Sequence, residues 1–338
     1  MTMRILISRT DGIGDVVLTL PMAGIIKRYF NSSTVLFLGK SYTEPIISLS
    51  KDVDVFLNWD EIKKDPINGY KILQEQRIDI VLHVFPNKEV AKICKKVGIK
   101  NRIGTSHRIY NWLYCNKLSH FSRKRSNKHE SILNTTLLHK IKGFNKEIKF
   151  EHIDNFLNLS VERVPSCADI LSENSNYFKL ILHPKSKGNG REWGLDNFKD
   201  LIERLDKNKF RIFVCGSEEE GVLFRNELFK EQYDNVFDLS GKLSLSQYIN
   251  LINNSNALVA SGTGPLHVAA VLNKHAIGLF PPMRPINPER WRPIGKYVKI
   301  FCKDKACNNC KKTIKCECMQ SILPKDVADY ILEISQMV

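Results

Sequence analysis

The sequence lacks a long apolar run, and this absence limits the classes of protein that it can represent. The longest apolar stretch near its start, Val16–Ile26, contains Thr19 and Pro21 and is far too short to span a lipid bilayer. Polar residues at Ser8–Asp11 interrupt the apolar run before it, and no cleavage-like site follows, so a signal peptide is not predicted. We therefore expect a cytoplasmic protein without a transmembrane segment.

Internal repeats and low-complexity segments are also missing, which argues against fibrous and disordered classes. The 338 residues are 43% hydrophobic and 26% charged, close to the averages of globular proteins. A chain of this length is too long for one ordinary core and long enough for two. Two domains are predicted.

Acidic residues are scarce relative to basic ones. The 51 Lys and Arg exceed the 36 Asp and Glu, which gives a formal net charge of +15. Such a charge attracts phosphates on nucleic acid, on nucleotides or on an anionic membrane, and does not choose among them. The densest basic stretch, Arg123–Lys128, fits either a phosphate contact or a solvated loop. A basic nucleic-acid-binding protein is therefore one alternative function. Because the basic residues are spread rather than placed on one helix, it is the weaker one, and a nucleic-acid partner is not expected.

The hydrophobic pattern alternates between strands and helices in two separate runs, which predicts an α/β fold with two parallel-sheet domains. The predicted strands are Arg4–Ile7, Thr34–Leu38, Val53–Leu57 and Ile78–Val84 in the first run, and Lys179–His183, Phe210–Cys215, Val236–Leu239, Ala257–Ala260 and Ala276–Phe280 in the second. Helices are predicted at Leu195–Lys207 and Leu245–Asn253. Another helical pattern begins at His129 and Glu130, whose predicted role is capping and solubility, with a contact to acceptor phosphates as the alternative.

A polar segment with little periodicity, Asn155–Asn176, separates the two runs and is the predicted linker. It places one domain at residues 1–160 and a second at residues 175–322, followed by a helix at residues 323–338 that begins at Pro324. Parallel sheets bind ligands at the carboxyl ends of their strands. We therefore expect the loops that follow the strands to face a central cleft.

The first glycine-containing turn, Arg9–Asp15, lies between the first strand and a helix predicted from Val16 onward. Strand, Gly-x-Gly and helix also open the dinucleotide-binding fingerprint. That interpretation fails because Val17 replaces the third glycine and no acidic residue follows the second strand to hold a ribose. A carboxylate here, Asp15 or its competitor Asp11, is instead suited to accept a proton from an attacking hydroxyl, or to cap the helix.

A second loop, rich in Gly, Ser, Lys and Arg, follows the strand that ends at His183. Its residues Lys185, Ser186 and Arg191 can contact a phosphate, and Arg191 does so through a forked, permanently charged guanidinium. The loop lacks the Gly-Lys-Ser/Thr ending of a P-loop, so ATPase chemistry is not expected. A phosphate-binding loop of another kind is predicted.

A third loop is the glycine-rich turn Ser261–Pro265, between a strand and a helix. Pro265 stands where the helix begins, so the backbone N–H groups of Thr263 and Gly264 and the helix dipole can point at a diphosphate. A plain strand-to-helix connection is the alternative. Four residues with turn-specific roles favour an anion site that needs no metal.

The three segments Arg4–Pro21, His183–Phe198 and Ser261–Pro285 resemble, in order and spacing, glycosyltransferase family 9, the bacterial lipopolysaccharide heptosyltransferases. The resemblance spans most of the chain. It implies a GT-B fold of two Rossmann-like domains, the N-terminal one binding the acceptor and the C-terminal one binding the nucleotide sugar. It also implies an inverting transfer of heptose from ADP-heptose to the inner core of lipopolysaccharide or lipooligosaccharide.

The resemblance also assigns roles to individual residues. Asp15 falls on the position of the catalytic base. The residues that fall around the donor are Arg191, Thr263, Gly264 and His267 at the diphosphate, and Glu218 or Glu219 at the nucleoside sugar. Several members have Asp where this chain has Gly262, so one polar contact to the donor is absent or supplied elsewhere.

Partners and location follow from the same resemblance. The donor is a nucleotide-diphosphate sugar, and the acceptor is an anionic glycolipid of the lipid A–core type. The enzyme is then cytoplasmic and attached peripherally to the inner membrane. Catalysis is expected to need no metal or other cofactor. Because the leaving group is already acidic, it does not require protonation, so no pair of carboxylates around the broken bond is expected. Another sugar transferase, a sugar-nucleotide epimerase or a hydrolase on the same fold is the alternative.

Cysteines crowd the C-terminal segment, which holds five of the nine. The pairs Cys307-x-x-Cys310 and Cys316-x-Cys318 provide four thiolates that suit a structural zinc. The one-residue spacing of the second pair is less usual. Reduced thiols or a local disulfide are the alternatives, and a reducing compartment favours the thiols.

Overall fold

The structure is a computed structural model that describes residues 2–123, 126–162, 176–186, 188, 190–229, 233–306, 310, 313 and 316–337. The chain divides into two compact units, Met1–Ser160 and Val161–Val338. Each unit contains its own six-stranded parallel sheet. The two units are described separately.

The sheet of the first unit has the strand order β3-β2-β1-β4-β5-β6. Its strands are β1 (Arg4–Ser8), β2 (Thr34–Gly39), β3 (Val55–Asn58), β4 (Ile80–His83), β5 (Asn101–Thr105) and β6 (Lys117–Ser119). The apolar residues of the central strand, Ile5, Leu6 and Ile7, are completely buried, as expected for a parallel sheet covered on both faces. This order belongs to doubly wound nucleotide-binding folds.

Short helices cover both faces of this sheet. They are α1 (Ile13–Val17), α2 (Pro21–Tyr29), α3 (Glu44–Ile47), α4 (Trp59–Lys64), α5 (Pro66–Glu75), α6 (Lys88–Lys96), α7 (Ile109–Tyr114) and α8 (Glu130–Thr135), with 3₁₀ turns at Ser41–Thr43, Leu138–Lys140 and Phe150–Phe156. Several begin at Asn or Asp caps; the Asn87 side chain, for example, accepts hydrogen bonds from the backbone N–H groups of Glu89 and Val90.

The sheet of the second unit has the same topology, with the strand order β12-β11-β10-β7-β8-β9. Its strands are β7 (Phe178–His183), β8 (Phe210–Val214), β9 (Val236–Asp238), β10 (Ala257–Ser261), β11 (His275–Phe280) and β12 (Val298–Cys302). In both sheets the order reverses beside the first strand, between β1 and β4 and between β7 and β10. Ligands of open α/β sheets bind at such reversals.

The helices of the second unit enclose a core that includes the C-terminal cysteines. They are α9 (Leu195–Glu203), α10 (Glu218–Glu227), α11 (Leu245–Asn253), α12 (Gly264–Val271), α13 (Pro288–Trp291), α14 (Glu317–Gln320) and α15 (Pro324–Ser335). The predicted terminal helix at Pro324 is present, and it packs against α9. Trp193 is fully buried in this core, and its indole N–H donates to the Ile322 carbonyl oxygen at 2.8 Å.

All nine predicted strands are present, each within two residues of its predicted ends. Three strands were not predicted: β5, β6 and β12. Two of them, β6 and β12, are edge strands, and β6 has only three residues. Among the described residues, no helix is both long enough and apolar enough to cross a bilayer.

The predicted linker is wrong at its start. Asn155 lies in the 3₁₀ turn Phe150–Phe156, which packs on α2. Leu159 forms an antiparallel bridge with Ser50, so this part of the chain belongs to the first unit. The rest of the predicted linker, residues 163–175, lies outside the described residues.

Candidate active site

In the second unit, two of the predicted phosphate loops meet at the reversal of strand order. β7 and β10 are neighbouring parallel strands, and both loops leave from their carboxyl ends. The loops touch at Gly190: a Cβ placed there would lie 3.8 Å from the Ser261 Cβ and 3.8 Å from the Gly262 carbonyl oxygen. The sequence therefore brings two separate motifs, about seventy residues apart along the chain, to one place in the fold.

The turn before α12 carries two buried hydroxyl groups that have no hydrogen-bond partner within the described part of the chain. They are Ser261 Oγ and Thr263 Oγ1. Thr263 is the N-cap residue of α12, yet its side chain does not cap the helix. Buried hydroxyls are nearly always paired in folded proteins. An unpaired hydroxyl beside a helix N-terminus is therefore suited to an anionic ligand, which the helix also favours.

The other two predicted residues of this turn lie on α12 itself. Gly264 is its first residue, and Pro265 follows it, where a missing N–H costs no helical hydrogen bond. His267 is 2% exposed, one turn into the helix. The structure thus places Gly264 at the helix end that can contact a diphosphate and His267 within the packed part of the helix.

The predicted phosphate loop after β7 is held in shape by its own contacts. The Lys185 ammonium pairs with Glu192 Oε2 at 2.8 Å, and the Ser186 hydroxyl donates to the Gly190 carbonyl oxygen at 3.1 Å. Glu192 was not predicted as a site residue. Lys185 is therefore neutralised locally, and Ser186, which is 4% exposed, stabilises the turn.

Arg191 connects this loop to the cysteine-rich segment. Its Nε and Nη2 donate to the carbonyl oxygen of Cys310 at 3.0 and 2.9 Å. Its remaining terminal nitrogen, Nη1, makes no hydrogen bond to any described residue. The guanidinium is thus fixed by one edge, while Nη1 is left to contact an anion.

Three of the four predicted zinc ligands lie together and are buried. The Sγ atoms of Cys310, Cys316 and Cys318 lie within 4.8 Å of one another. The Sγ of Cys310 is 3.9 Å from that of Cys316 and 3.3 Å from that of Cys318. The fourth predicted ligand, Cys307, lies outside the described residues. Three convergent thiols fit a soft metal such as zinc.

The two predicted contacts to the nucleoside sugar lie in the first turn of α10, after β8. Glu218 and Glu219 are both exposed. Glu218 pairs with Arg225 at 2.7 Å, and Arg225 also pairs with Asp238 at 2.7 Å. The helix begins with a capping box formed by Ser217 and Glu220. Within the described part of the chain, Glu219 makes neither an ion pair nor a side-chain hydrogen bond, whereas Glu220 Oε2 accepts a hydrogen bond from the Ser217 backbone N–H.

In the first unit, the turn after β1 differs from its predicted form. The helix begins at Ile13 and not at Val16, with Gly12 as its N-cap. Asp15 is therefore the third residue of α1, and no side chain caps this helix. The capping alternative for Asp15 is wrong. Its carboxylate is one-quarter exposed and remains available for proton transfer.

A buried arginine organises the carboxylates of this turn. The Arg9 guanidinium, 3% exposed, donates through Nε to Asp11 Oδ1 at 2.7 Å and through Nη2 to Asp15 Oδ1. Its Nη1 contacts the carboxylate of Glu130 at 3.2 Å. Desolvation by burial lowers the pKa of Arg9, but the charges of the three carboxylates together outweigh it, so the pKa lies above its ordinary value. Arg9 thereby fixes the orientation of the candidate base.

The partner of Arg9 on α8 was not predicted as part of a site. Glu130 is completely buried and also receives Arg123 Nε at 2.7 Å. Asn134, one turn later, accepts hydrogen bonds from both arginines. The neighbouring residue His129 does cap α8, as predicted, because its ring accepts a hydrogen bond from Ser131 N–H. Arg123 is thus a structural residue, while Lys124 and Arg125 lie outside the described residues.

The two carboxylates of the turn differ in environment. Burial raises the pKa of Asp11 to about 6, although Arg9 opposes the shift. Tyr42 donates its hydroxyl to the Asp11 backbone carbonyl oxygen at 2.7 Å and covers the turn from one side. Asp11 is therefore more enclosed than Asp15.

A known family model, glycosyltransferase family 9 (heptosyltransferase), matches residues 70–320, a range that includes both loops at the reversal of strand order in the second unit. The chain belongs to glycosyltransferase family 9. A Campylobacter jejuni relative, lipooligosaccharide heptosyltransferase 2, is 22% identical over 354 residues, covering 98% of this chain and 99% of the relative. The predicted membership is confirmed, and with it the prediction of a glycosyltransferase.

Solved structures of this glycosyltransferase family have the same fold. The family 9 glycosyltransferase of Veillonella parvula has a TM-score of 0.79 at 14% identity, covering 99% of this chain and 98% of that one. ADP-heptose lipopolysaccharide heptosyltransferase II of Escherichia coli has a TM-score of 0.78 at 15% identity, covering 99% of each chain. The α/β, GT-B class predicted from the sequence is confirmed.

The position at which this glycosyltransferase departs from several family members has a physical explanation. A Cβ placed on Gly262 would lie 2.6 Å from the Phe280 ring, at the end of β11. The buried Phe280 ring therefore occupies the space that an Asp side chain would need. Gly262 and Phe280 form a complementary pair.

Proposed function

We propose that this glycosyltransferase transfers a heptosyl group from ADP-heptose to the inner core of a lipopolysaccharide or lipooligosaccharide. The observation that carries the proposal is a pair of buried hydroxyls at the N-terminus of α12, Ser261 Oγ and Thr263 Oγ1, for which the described residues offer no hydrogen-bond partner. They lie where the Arg191 loop meets the Ser261–Gly264 turn. Such a set of donors suits the diphosphate of a nucleotide sugar.

The second unit would bind the donor through this diphosphate. Backbone N–H groups at the start of α12, the Thr263 hydroxyl and Arg191 Nη1 would contact the phosphate oxygens. These contacts grow stronger as the bond from the anomeric carbon to the phosphate oxygen breaks, since negative charge then collects on the departing ADP. Glu219 would contact the ribose hydroxyls.

The first unit would supply the base. Asp15 would take the proton of the acceptor hydroxyl as that oxygen forms its bond to the anomeric carbon, and ADP would leave with the electron pair of the broken bond. Attack opposite to the leaving group inverts the configuration. Since ADP is a weak base and leaves without protonation, the transfer would need no catalytic metal.

The cysteine group would have a structural role. Cys310, Cys316 and Cys318, with Cys307 as the fourth ligand, would hold one zinc ion. That ion would fix the Cys310 carbonyl on which Arg191 is held. Metal analysis of the purified protein tests this: zinc at one equivalent supports it, and metal-free protein with intermolecular or local disulfides contradicts it.

The acceptor would be a glycolipid with an anionic lipid A–core, so the enzyme would work in the cytoplasm at the inner-membrane surface. The high positive charge of the chain suits this partner.

The test is a transfer assay with purified protein. ADP-heptose is incubated with heptose-deficient glycolipid from the host and, in parallel, without an acceptor, and the products are identified by mass spectrometry. One added heptose per glycolipid, with release of ADP only when the acceptor is present, is the expected result. ADP release or sugar conversion that ignores the acceptor would favour a hydrolase or an epimerase instead. Transfer of a different sugar would correct the donor.

A further inference from the structure

One short helix of the first unit exposes three large apolar side chains on a single face. On α7, Ile109 is 88% exposed, Trp112 61% and Leu113 64%, at the spacing that places residues on one side of a helix. The opposite side is firmly attached, because the buried Asn111 donates from Nδ2 to the Thr105 carbonyl oxygen at 2.8 Å. The exposed face thus belongs to a well-anchored helix.

The chain segment that contains this face is strongly basic, although α6 also carries the exposed Glu89, which pairs with Lys63 at 3.1 Å. Residues 90–129 contain eleven Lys and Arg and no Asp or Glu, so most of the chain's net charge of +15 lies in these forty residues. Lys92, Lys95 and Lys96 are exposed on α6, which packs against α7. Lys95 Nζ donates to the Leu113 carbonyl oxygen at 2.8 Å, so this charge borders the apolar face directly.

This combination identifies the partner by its chemistry. An apolar projection bordered by cations suits an anionic lipid bilayer, in which aliphatic side chains enter the acyl boundary and lysines contact lipid phosphates. An indole prefers the same interfacial layer. A second copy of the chain fits poorly, since contact through this face would bring two uncompensated sets of lysines together.

We propose that this docking face, formed by Ile109, Trp112 and Leu113 with Lys92, Lys95, Lys96 and Arg108, attaches the enzyme to the anionic surface of a lipid bilayer. The choice of a bilayer rests on the proposed function, in which the acceptor is a membrane glycolipid. The inference goes further by naming the surface that makes the contact.

Vesicle sedimentation tests the docking face. Wild-type protein is expected to bind vesicles that contain phosphatidylglycerol and to bind pure phosphatidylcholine vesicles much more weakly, with loss of binding at high salt. The triple variant Ile109→Ser, Trp112→Ser, Leu113→Ser should bind at least about tenfold more weakly. The variant Lys92→Gln, Lys96→Gln, Arg108→Gln should lose the preference for anionic vesicles. Unchanged binding by both variants would overturn the proposal.

Matched controls come from the second unit. Val222→Ser removes an exposed aliphatic side chain from the acidic first half of α10, and Lys207→Gln with Lys209→Gln removes exposed charge. Both should bind vesicles as the wild type does, and equal losses in these controls would contradict a local docking face. Quenching of tryptophan fluorescence by brominated lipid tests whether the Trp112 indole enters the bilayer. Quenching is expected in the wild type and should disappear in the Trp112→Phe variant.

Further measurements separate this proposal from the proposed function. Transfer to a delipidated, water-soluble core oligosaccharide should be unchanged in the docking-face variants. Vesicle binding without any transfer would contradict the proposed heptosyl transfer and leave the docking face intact. Transfer without vesicle binding would contradict the docking face and leave the proposed transfer intact. A dimer in sedimentation velocity that the triple variant abolishes, together with absent vesicle binding, would assign the face to a second copy of the chain.

Discussion

Arg191 donates two hydrogen bonds to the carbonyl oxygen of Cys310, and this contact joins the predicted phosphate loop after β7 to the buried cysteine group. Sequence reasoning treated the two as unrelated motifs. Their contact means that the geometry of the thiols and the position of Arg191, the predicted phosphate contact, depend on each other.

The first prediction concerns this dependence. Replacing Cys318 with Ser should weaken the affinity for ADP by about tenfold. Loss of this thiol disturbs the cysteine group, and with it the Cys310 carbonyl oxygen that holds Arg191 in place. Isothermal titration calorimetry with ADP measures it. Cys302→Ser changes a neighbouring thiol outside the group of three and should leave the affinity intact. Equal affinities for both variants would contradict the coupling.

The second prediction concerns the unpaired hydroxyl of Thr263. Thr263→Val should weaken ADP binding by about tenfold while leaving the thermal midpoint unchanged or higher, since it removes a buried hydroxyl that has no hydrogen-bond partner among the described residues. Thr105→Val is the matched control, because Thr105 donates its hydroxyl to the Phe121 carbonyl oxygen at 3.0 Å. Thr105→Val should lower the thermal midpoint and leave the affinity for ADP unchanged. If Thr263→Val lowered the thermal midpoint and left the affinity for ADP unchanged, Thr263 would have only a structural role.

The third prediction separates the two carboxylates of the first turn. Asp15→Asn and Asp11→Asn each remove one carboxylate from Arg9, so they disturb its ion pairs to a similar degree. Only Asp15→Asn should lower kcat by about 100-fold or more while leaving the affinity for ADP intact, because an amide cannot accept the proton. If transfer survived in Asp15→Asn and vanished in Asp11→Asn, the base would be Asp11, whose pKa burial raises to about 6.

The fourth prediction concerns pH and stability. Burial, assisted by Arg102, lowers the pKa of His83 from 6.5 to about 4. The unfolded chain therefore takes up a proton on this residue below about pH 6.5, whereas the folded protein takes it up only below about pH 4. As the pH falls from 6.5 to 4, the free energy of unfolding decreases by up to about 3 kcal/mol. The difference between the thermal midpoints near pH 7 and near pH 5 should be smaller in His83→Gln than in the wild type. His120→Gln, at an exposed position, should keep the wild-type difference.

The central strands of both sheets could be predicted because burial on both faces selects continuous apolar segments such as Arg4–Ser8 and Ala257–Ser261. The missed edge strands carry a weaker signal. Lys117–Ser119 is too short for a pattern, and Val298–Cys302 includes the exposed Lys299. Edge strands tolerate charge on the solvent side, so their composition resembles that of loops.

The glycine-rich turns of the site could also be located from sequence, because turns that bring backbone N–H groups to an anion need particular residues. The charge network around Arg9 could not. Glu130 lies 121 residues further along the chain, and its complete burial arises only when α8 packs beside the first turn. The pairing of Lys185 with Glu192 was likewise invisible, since the spacing alone does not fix the path of an irregular loop.

A crystal structure of the enzyme soaked with ADP tests the central claim most directly. The diphosphate should lie on the N-terminus of α12, within hydrogen-bond distance of the Thr263 hydroxyl and Arg191, and the Asp15 carboxylate should remain exposed to solvent. ADP bound away from the Thr263 turn, or an Asp15 side chain turned into packed interior, would contradict the account.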